Sequence, residues 1–270
     1  MSVSLTPAHF SSTVLYGRSV VIKGRCEHVL GYQNLAENLS GGPNAMILPL
    51  PAAAPMGPDN LLDVSSCRGL LERYRDALSS PTPRGFSGKT QVFESGNYSV
   101  VLAQSASLGD IEDALEGVPE SRRPKVDPLL LSYYMSWYPG WHIALCCFDT
   151  AVRKYEPLVW RYEPMDPELV FLPGLEASNG KTPRIGVPVT IDHTLALGID
   201  NEVDDERPRV RALLPAGMAE HLLPYFPEVV CGRAKMGGRL VNGDWYLPAA
   251  GDRMALARAL IERLPPPGMR

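Results

Sequence analysis

The sequence lacks a long hydrophobic run and a secretion signal at its start. Its longest apolar run, residues 45–54, contains prolines and covers about half of the ~20 residues that a membrane-spanning helix needs. A signal peptide has a basic segment followed by a continuous apolar segment, and residues 1–9 contain neither. We therefore expect a cytoplasmic protein that does not cross a membrane.

A large excess of charge of one sign is also absent. The chain carries 26 Lys and Arg against 30 Asp and Glu, a net charge of −4. Nonspecific affinity for nucleic acids comes from clustered cations. The densest basic stretches, 122–125 and 207–211, are short and contain proline, which indicates solvated loops. The composition therefore predicts no binding of nucleic acid.

Cysteine is sparse, and its spacing does not fit a disulfide framework. The five cysteines are an odd number at positions 26, 67, 146, 147 and 231, which predicts reduced thiols in a cytoplasmic compartment. Cys26 and His28 are spaced as metal ligands but lack a second pair nearby. One zinc arrangement stays open as a minor alternative, formed by Cys26, His28, His142 and Cys231. We otherwise expect no metal ion and no cofactor, because phosphate-binding glycine loops and EF-hand spacing are both missing.

Proline and glycine, in contrast, are abundant, with 26 and 24 residues spread along the whole chain. This distribution is typical of short strands joined by many turns. We therefore predict an α+β fold with mainly antiparallel sheets of short strands, a few short helices and turns rich in proline and glycine. One domain over 1–270 is expected. A division into 1–80 and 89–270 at the proline- and serine-rich segment 79–88 is the alternative.

Local patterns predict individual elements. Helical spacing of apolar residues predicts helices at about 64–78, 129–138 and 253–264, and a capping pattern at 107–110 predicts a short helix. Strands are predicted at 13–16 and 19–22 around a Gly17-Arg18 turn, and at 185–191, which Pro188 should confine to a sheet edge. Two hairpins are expected. One joins 91–94 to 98–102, and the other turns at Asn242-Gly243 between 239–241 and 245–247.

Aromatic residues cluster more densely at 133–141 than anywhere else in the chain. If 129–138 is helical, the rings form a band that is broader than one core contact requires. Tyr and Trp have apolar bodies and polar tips, so they occur equally at core edges, in ligand clefts and at protein interfaces. The predicted binding residues are Tyr133, Tyr134, Trp137, Tyr138, Trp141 and His142.

Two adjacent thiols lie in the strand-like run that follows. In a strand His142 and Cys146 would be about 13 Å apart, at roughly 3.3 Å per residue, so they cannot form a dyad. A nucleophilic Cys146 or Cys147 would need an imidazole from elsewhere, and His193 is the candidate base. Asp149 is a candidate orienting carboxylate. Alternation places the two thiols on opposite faces of the strand, so only one could line a cleft.

Two functional hypotheses follow. The first is a non-catalytic binding or interaction protein whose contact surface lies around 133–141, with the proline-rich loop 49–58 beside it and an unidentified protein or small ligand as partner. The alternative is a cysteine-dependent hydrolase or acyltransferase that uses Cys146 or Cys147 with His193. The sequence favours the first, because no catalytic constellation or cofactor loop is recognisable.

Overall fold

The computed structural model describes residues 3–79, 99–104, 108–149, 153–154, 156–199, 209–215, 217–250 and 253–270. The predicted α+β class with mainly antiparallel sheets is confirmed. The strands are β1 (Val3–Ser4), β2 (Ala8–Ile22), β3 (Arg25–Asn38), β4 (Asn44–Leu50), β5 (Ser99–Gln104), β6 (His142–Phe148), β7 (Arg153–Lys154), β8 (Leu158–Tyr162), β9 (Leu169–Leu172), β10 (Pro188–Gly198), β11 (Arg209–Arg211), β12 (Val229–Val241) and β13 (Trp245–Pro248). The α-helices are α1 (Leu70–Ser79), α2 (Leu108–Leu115), α3 (Pro128–Trp137) and α4 (Arg253–Ile261).

The described strands form three sheets. A four-stranded sheet has the order β1-β4-β6-β5, and a larger sheet has the order β11-β12-β10-β2-β3-β7 with β8 also paired to β3. A small sheet pairs β13 with β9. Neighbouring strands are antiparallel except β10 and β2, which run parallel over 194–197 and 14–17. The two large sheets are therefore built almost entirely from antiparallel strand pairs.

Apolar side chains pack in layers. One core lies between the two large sheets and contains Phe10, Leu195 and Phe148. A second core covers the outer face of the four-stranded sheet with residues of α2 and α3. A third covers the outer face of the larger sheet with residues of α1 and the segment 212–226. Each of the two large sheets therefore packs against apolar side chains on both faces, which is why β4 and β6 are buried along their whole length.

The longest strands differ from the prediction. The prediction of a turn at Gly17-Arg18 is wrong, because both residues lie within β2, which is 15 residues long. The reversal comes later, at Lys23-Gly24, where both residues have positive φ as a tight hairpin turn requires. Gly17 instead permits close packing between sheets, since a Cβ there would lie 2.5 Å from a side-chain carbon of Val170.

The predicted edge at Pro188 agrees with the start of β10, where residues 188–193 pair with β12 alone. Residues 194–197 also pair with β2, so the second half of β10 lies inside the larger sheet. Proline is compatible with this position because it is the first residue of the strand, where no ladder hydrogen bond from its nitrogen is needed. The interior position of β10 buries its second half, including His193.

The predicted hairpin at Asn242-Gly243 is wrong. β12 and β13 belong to different sheets, so the segment between them passes from one sheet to another. Gly243 is needed for close approach, because a Cβ there would lie 2.5 Å from the carbonyl oxygen of Leu264. Asn242 hydrogen-bonds the backbone of Glu176, which lies 66 residues away in sequence.

The helices agree with the predictions in position more than in length. Helix α3 begins at Pro128 because the Asp127 carboxylate accepts hydrogen bonds from the first free backbone N–H groups. Helix α1 begins at residue 70 rather than 64, after a 3-10 turn at Ser65–Cys67. Two predicted features lie wholly or largely outside the described residues, namely the linker 79–88 and the hairpin strand 91–94.

Candidate functional site

The two adjacent thiols lie in the core. Cys146 faces the layer between the large sheets and Cys147 faces the layer under α2 and α3, so the predicted alternation is confirmed. Both are fully buried. Burial raises the pKa of the Cys147 thiol to about 12 and raises the pKa of Cys146 well above its ordinary value. A buried neutral thiol is a poor nucleophile, so this environment does not favour catalysis.

His193 is paired with a carboxylate that the sequence did not single out. Its Nε2 atom lies 3.2 Å from Oε1 of Glu176, and both side chains are nearly inaccessible. Nδ1 lies 3.9 Å from the half-exposed Asp192 carboxylate. The proposed orienting group, Asp149, lies at the end of β6, in the other large sheet. The described geometry therefore pairs His193 with Glu176, and the groups that shift the pKa of Cys146 do not include an imidazole in the described part of the chain.

The aromatic segment forms a continuous set of ring contacts at the edge of the core. Tyr138 lies between Tyr134 and Trp141, with ring centroids 5.5 and 5.1 Å away. Trp141 packs edge-on against Phe171 of β9 at 4.7 Å. Four of the five predicted rings are at most 8% exposed. Tyr133 is 39% exposed and packs at 5.6 Å against the ring of Trp137.

His142, the last predicted binding residue, is also buried. Its Nε2 accepts a hydrogen bond from the backbone N–H of Met56 at 3.3 Å. This bond joins β6 to the proline-rich loop 49–58, which the sequence predicts to lie beside the aromatic segment. Burial lowers the pKa of the imidazole, so the ring is held neutral and serves as an acceptor.

A buried polar cluster continues inward from the aromatic rings. The Tyr138 hydroxyl donates to Oδ2 of Asp244 at 2.6 Å. Oδ1 of the same carboxylate accepts from the backbone N–H of Gly174 at 2.7 Å and of Leu175 at 3.2 Å. Asp244 is inaccessible, and burial raises its pKa while these hydrogen bonds act in the opposite direction. The carboxylate therefore connects α3, the 173–176 segment and the start of β13.

Arg263 supplies the cationic side chain of this cluster. Its guanidinium lies over the Trp245 ring at 4.5 Å, and its Nε donates to the carbonyl of Gly243 at 2.8 Å. Burial raises the pKa of Glu176 to about 7, while Arg263 lowers it and Asp192 raises it. His193 packs on the same indole at a centroid distance of 5.6 Å. A carboxyl that titrates near neutral pH beside an imidazole is a common feature of functional sites.

A small apolar pocket opens beside the aromatic rings. It has a volume of about 220 Å³ and is lined by Ala103, Ile111, Met135, Tyr138, Gly140, Trp141 and Ile143. Met165, which is 48% exposed, approaches within 3.8 Å of where a side chain at Gly140 would begin. Two of the predicted binding residues thus line a cavity even though their rings are largely buried.

Sequence reasoning missed Glu176, Asp244 and Arg263. None lies in a motif, and their partners are 17 to 106 residues away, as for Glu176–His193 and Tyr138–Asp244. The Asn242-Gly243 pair is visible in the sequence, but it predicts a turn and does not indicate that Asn242 binds the backbone of Glu176. Among the described residues, no three or more histidine, cysteine or acidic side chains are placed to hold a metal ion. No described helix has the length and apolar character needed to cross a bilayer.

The architecture and site define an α+β protein with two facing, mainly antiparallel sheets and a buried polar cluster. No family model matches the chain, and no curated protein matches it significantly. Among solved structures, the chain is similar to baculovirus P35, with a TM-score of 0.44 and 10% sequence identity over 90% of each chain. Similarity at this level carries no argument about this protein.

Proposed function

We propose that this protein is a non-catalytic binding protein that accepts one large apolar side chain of a protein partner in the pocket beside Trp141. The observation that carries the proposal is the pocket itself, with Met135, Tyr138 and Trp141 in its wall. Aromatic and methionine side chains are enriched at protein interfaces because they offer large contact areas. Pockets that hold a single buried anchor are typical of interaction hot spots.

The size of the pocket favours a protein side chain over an independent small ligand. Its volume is about 220 Å³, whereas sites for drug-sized molecules are typically about 300–1,000 Å³. The exposed Met165, which lies next to Gly140 of the pocket lining, supplies further apolar area there. The contact surface is therefore expected to consist of one anchored side chain with weaker contacts around it.

Filling the pocket tests this proposal without removing its rings. Ala103 lines the cavity, so Ala103→Leu should occupy it and block the anchor. Peptides would be selected from a random phage-displayed library on the wild-type protein, and their affinities measured by fluorescence polarisation. We expect the selected peptides to share a large apolar residue and to bind Ala103→Leu at least about tenfold more weakly, equivalent to about 1.4 kcal/mol.

Ala257→Leu is the matched control, because Ala257 is exposed on helix α4 and does not line the pocket. It should leave peptide affinity unchanged. Equal binding of the selected peptides to Ala103→Leu and wild type would refute the proposed pocket, as would failure to select any peptide that shares an apolar anchor. Thermal unfolding of both variants would verify that each remains folded.

The cysteine-dependent alternative is tested by iodoacetamide labelling of the native protein against pH, with peptide mapping. Cys26 is partly exposed, whereas the other four cysteines are buried. We expect Cys26 to react first and the remaining thiols to react at least about 100-fold more slowly until denaturant is added. Fast labelling of Cys146 or Cys147 below pH 7 would instead support the hydrolase or acyltransferase and make His193→Ala the next variant.

A further inference from the structure

A second and larger cavity lies on the other side of the buried polar cluster. This cleft has a volume of about 470 Å³ and is lined by the segments 176–182 and 184–190 together with Asn242. Its volume is within the range of about 300–1,000 Å³ that is usual for small-molecule sites. It shares no lining residue with the apolar pocket and plays no part in the function proposed above.

Both walls of the cleft are fixed by Asn242. Its side chain accepts from the N–H of Glu176 at 2.9 Å and donates to the carbonyl of Glu176 at 3.0 Å. Its backbone accepts from the N–H of Gly186 and donates to the carbonyl of Val187. Because one buried residue holds both sides, the two walls keep a defined separation. A preformed cleft loses less conformational entropy when a ligand binds.

The first wall is also anchored to the N-terminal strands. The carbonyls of Ala177 and Ser178 accept hydrogen bonds from the N–H groups of Ser4 and Ala8. The turn that follows uses Gly180, whose φ of +71° and proximity to the carbonyl oxygen of Leu5 leave no room for a side chain. Asn179 Oδ1 accepts from the N–H of Lys181 at 3.1 Å. These contacts fix the position from which the Lys181 side chain extends.

The charges that line the cleft are mainly positive. Lys181 and Arg184 are exposed, and no acidic side chain in the described ranges lies within ion-pair distance of either. Glu176 is the acidic residue among the described residues of the lining, but its carboxylate is 3% exposed and lies 3.2 Å from His193. A ligand in the cleft therefore meets two accessible cations and a carboxyl that is largely withdrawn from solvent.

Hydroxyl and apolar groups complete the lining. Thr182 and Thr190 provide hydroxyls that can donate to an oxyanion. Ala177, Val187 and Val189 provide apolar contacts for a short carbon skeleton. Cations, hydroxyl donors and a small apolar surface in one cleft match the chemistry of a small organic anion.

We propose that this cleft binds a small molecule through a carboxylate or phosphate group held by Lys181, Arg184 and Thr182. The anionic group interacts with the two cations and the threonine hydroxyl, and the rest of the ligand lies against Val187 and Val189. Arginine can hold either oxyanion through two parallel hydrogen bonds, whereas lysine contributes a point charge. Both kinds of ligand present an oxyanion to the site, and the experiment below distinguishes carboxylates from phosphates.

The test uses isothermal titration calorimetry on the 270-residue chain at low ionic strength, with inorganic phosphate and succinate as separate probes. We expect at least one probe to bind with a dissociation constant of about 1 mM or lower. Stronger binding of phosphate would assign the site to phosphate-bearing ligands, and stronger binding of succinate would assign it to carboxylates. Absence of binding by both probes would overturn the proposal.

Matched double variants separate a defined site from general electrostatic attraction. Lys181→Ala with Arg184→Ala should weaken binding at least tenfold. The control, Arg25→Ala with Lys125→Ala, removes the same charge from exposed positions that do not line the cleft, and should change binding less than twofold. Equal losses in the two variants would overturn the proposal, because they would indicate attraction by net charge alone.

A third variant keeps the proposal falsifiable without changing charge. Thr182→Val removes the hydroxyl and nearly preserves side-chain shape, and it should weaken binding about threefold or more. Amide chemical shifts in a two-dimensional NMR titration should move at 180–184 and stay fixed at 23–25. Movement at 23–25 with none at 180–184 would place the anion elsewhere and refute the site.

Discussion

The apolar pocket and the polar cleft differ in how the chain builds them. Most of the pocket lining comes from the short stretch 135–143, and its shape depends on ring packing. The cleft depends on hydrogen bonds from Asn242 to segments 55 to 66 residues away. The two regions meet where Tyr138, in the pocket wall, donates to Asp244, two residues after Asn242. Changes to the connecting residues should therefore affect both regions, and changes within one should not.

Asp244→Ala should have the largest effect, because it breaks this connection. The substitution leaves the Tyr138 hydroxyl and the N–H groups of Gly174 and Leu175 without their buried acceptor. We expect a loss of about 4 kcal/mol in the free energy of unfolding. Urea denaturation followed by circular dichroism measures it. Tyr138→Phe is the matched control, since it removes one of the three donors and should cost about 1–2 kcal/mol.

A loss of less than about 1 kcal/mol in Asp244→Ala would contradict the connection. It would mean that water replaces the carboxylate at no large cost, and so that the cluster is open to solvent. A loss in Asp244→Ala equal to that in Tyr138→Phe would show that the backbone donors of 174 and 175 add little. The cleft would then be independent of the aromatic region.

Trp141→Ala should have the next largest effect, and it concerns the pocket side alone. The indole is 8% exposed and packs edge-on against Phe171 at 4.7 Å. Removing a large buried ring leaves a cavity, with an expected loss of about 3 kcal/mol in the free energy of unfolding. Anion binding in the cleft should stay within twofold of wild type. A loss below about 1 kcal/mol would indicate that this ring belongs to the surface rather than the core.

The pH dependence of stability should show a smaller effect that comes from the cleft side. Burial raises the pKa of Glu176 to about 7 in the folded protein, from an ordinary value near 4.5. The folded state therefore holds this proton over a pH range in which the unfolded chain has lost it. The stabilisation is fully present below about pH 4.5 and is lost as pH rises through about 7. The full change attributable to this group is roughly 3 kcal/mol, of which on the order of 2 kcal/mol falls between pH 5 and 8.

Glu176→Gln isolates that contribution, because glutamine preserves shape and cannot ionise. Urea denaturation at intervals from pH 5 to 8 should show wild-type stability falling with pH more steeply than that of the variant. Glu112→Gln is the matched control, since it makes the same substitution at an exposed position of α2. If wild type and Glu176→Gln have parallel profiles, the proton is not held by Glu176.

The same contrast explains what could be predicted from the sequence. The α3 helix, the β6 strand and the opposite facing of Cys146 and Cys147 follow from periodicities of 3.6 and 2, which act over a few residues. The aromatic concentration at 133–141 is likewise visible as a local pattern. The sequence does not show that four of these rings are buried and that Tyr133 is exposed. This difference depends on which face of the aromatic segment is covered by β9 and the four-stranded sheet.

The errors have a common physical cause. The sequence predicts turns at Gly17 and Gly243, whereas in the structure these residues permit close contacts with Val170 and Leu264. Glycine is needed both for positive φ and for close approach, and a single sequence does not distinguish these requirements. The Glu176–His193 pair was missed for a related reason, since its members meet only after β10 takes its place inside the larger sheet.

Tyr133→Ala should have the smallest effect on stability and the most specific effect on binding. Tyr133 is 39% exposed and contacts the ring of Trp137 from the solvent side of α3. We expect a loss of less than about 0.5–1 kcal/mol in the free energy of unfolding, against about 3 kcal/mol for Trp141→Ala. Affinity for peptides selected on the wild type should fall several-fold if the contact surface extends from the pocket along the helix.

Ser132→Ala, at the neighbouring exposed position, serves as the control. Unchanged peptide affinity in Tyr133→Ala would confine the contact surface to the pocket itself, while a stability loss as large as that of Trp141→Ala would assign Tyr133 to the core.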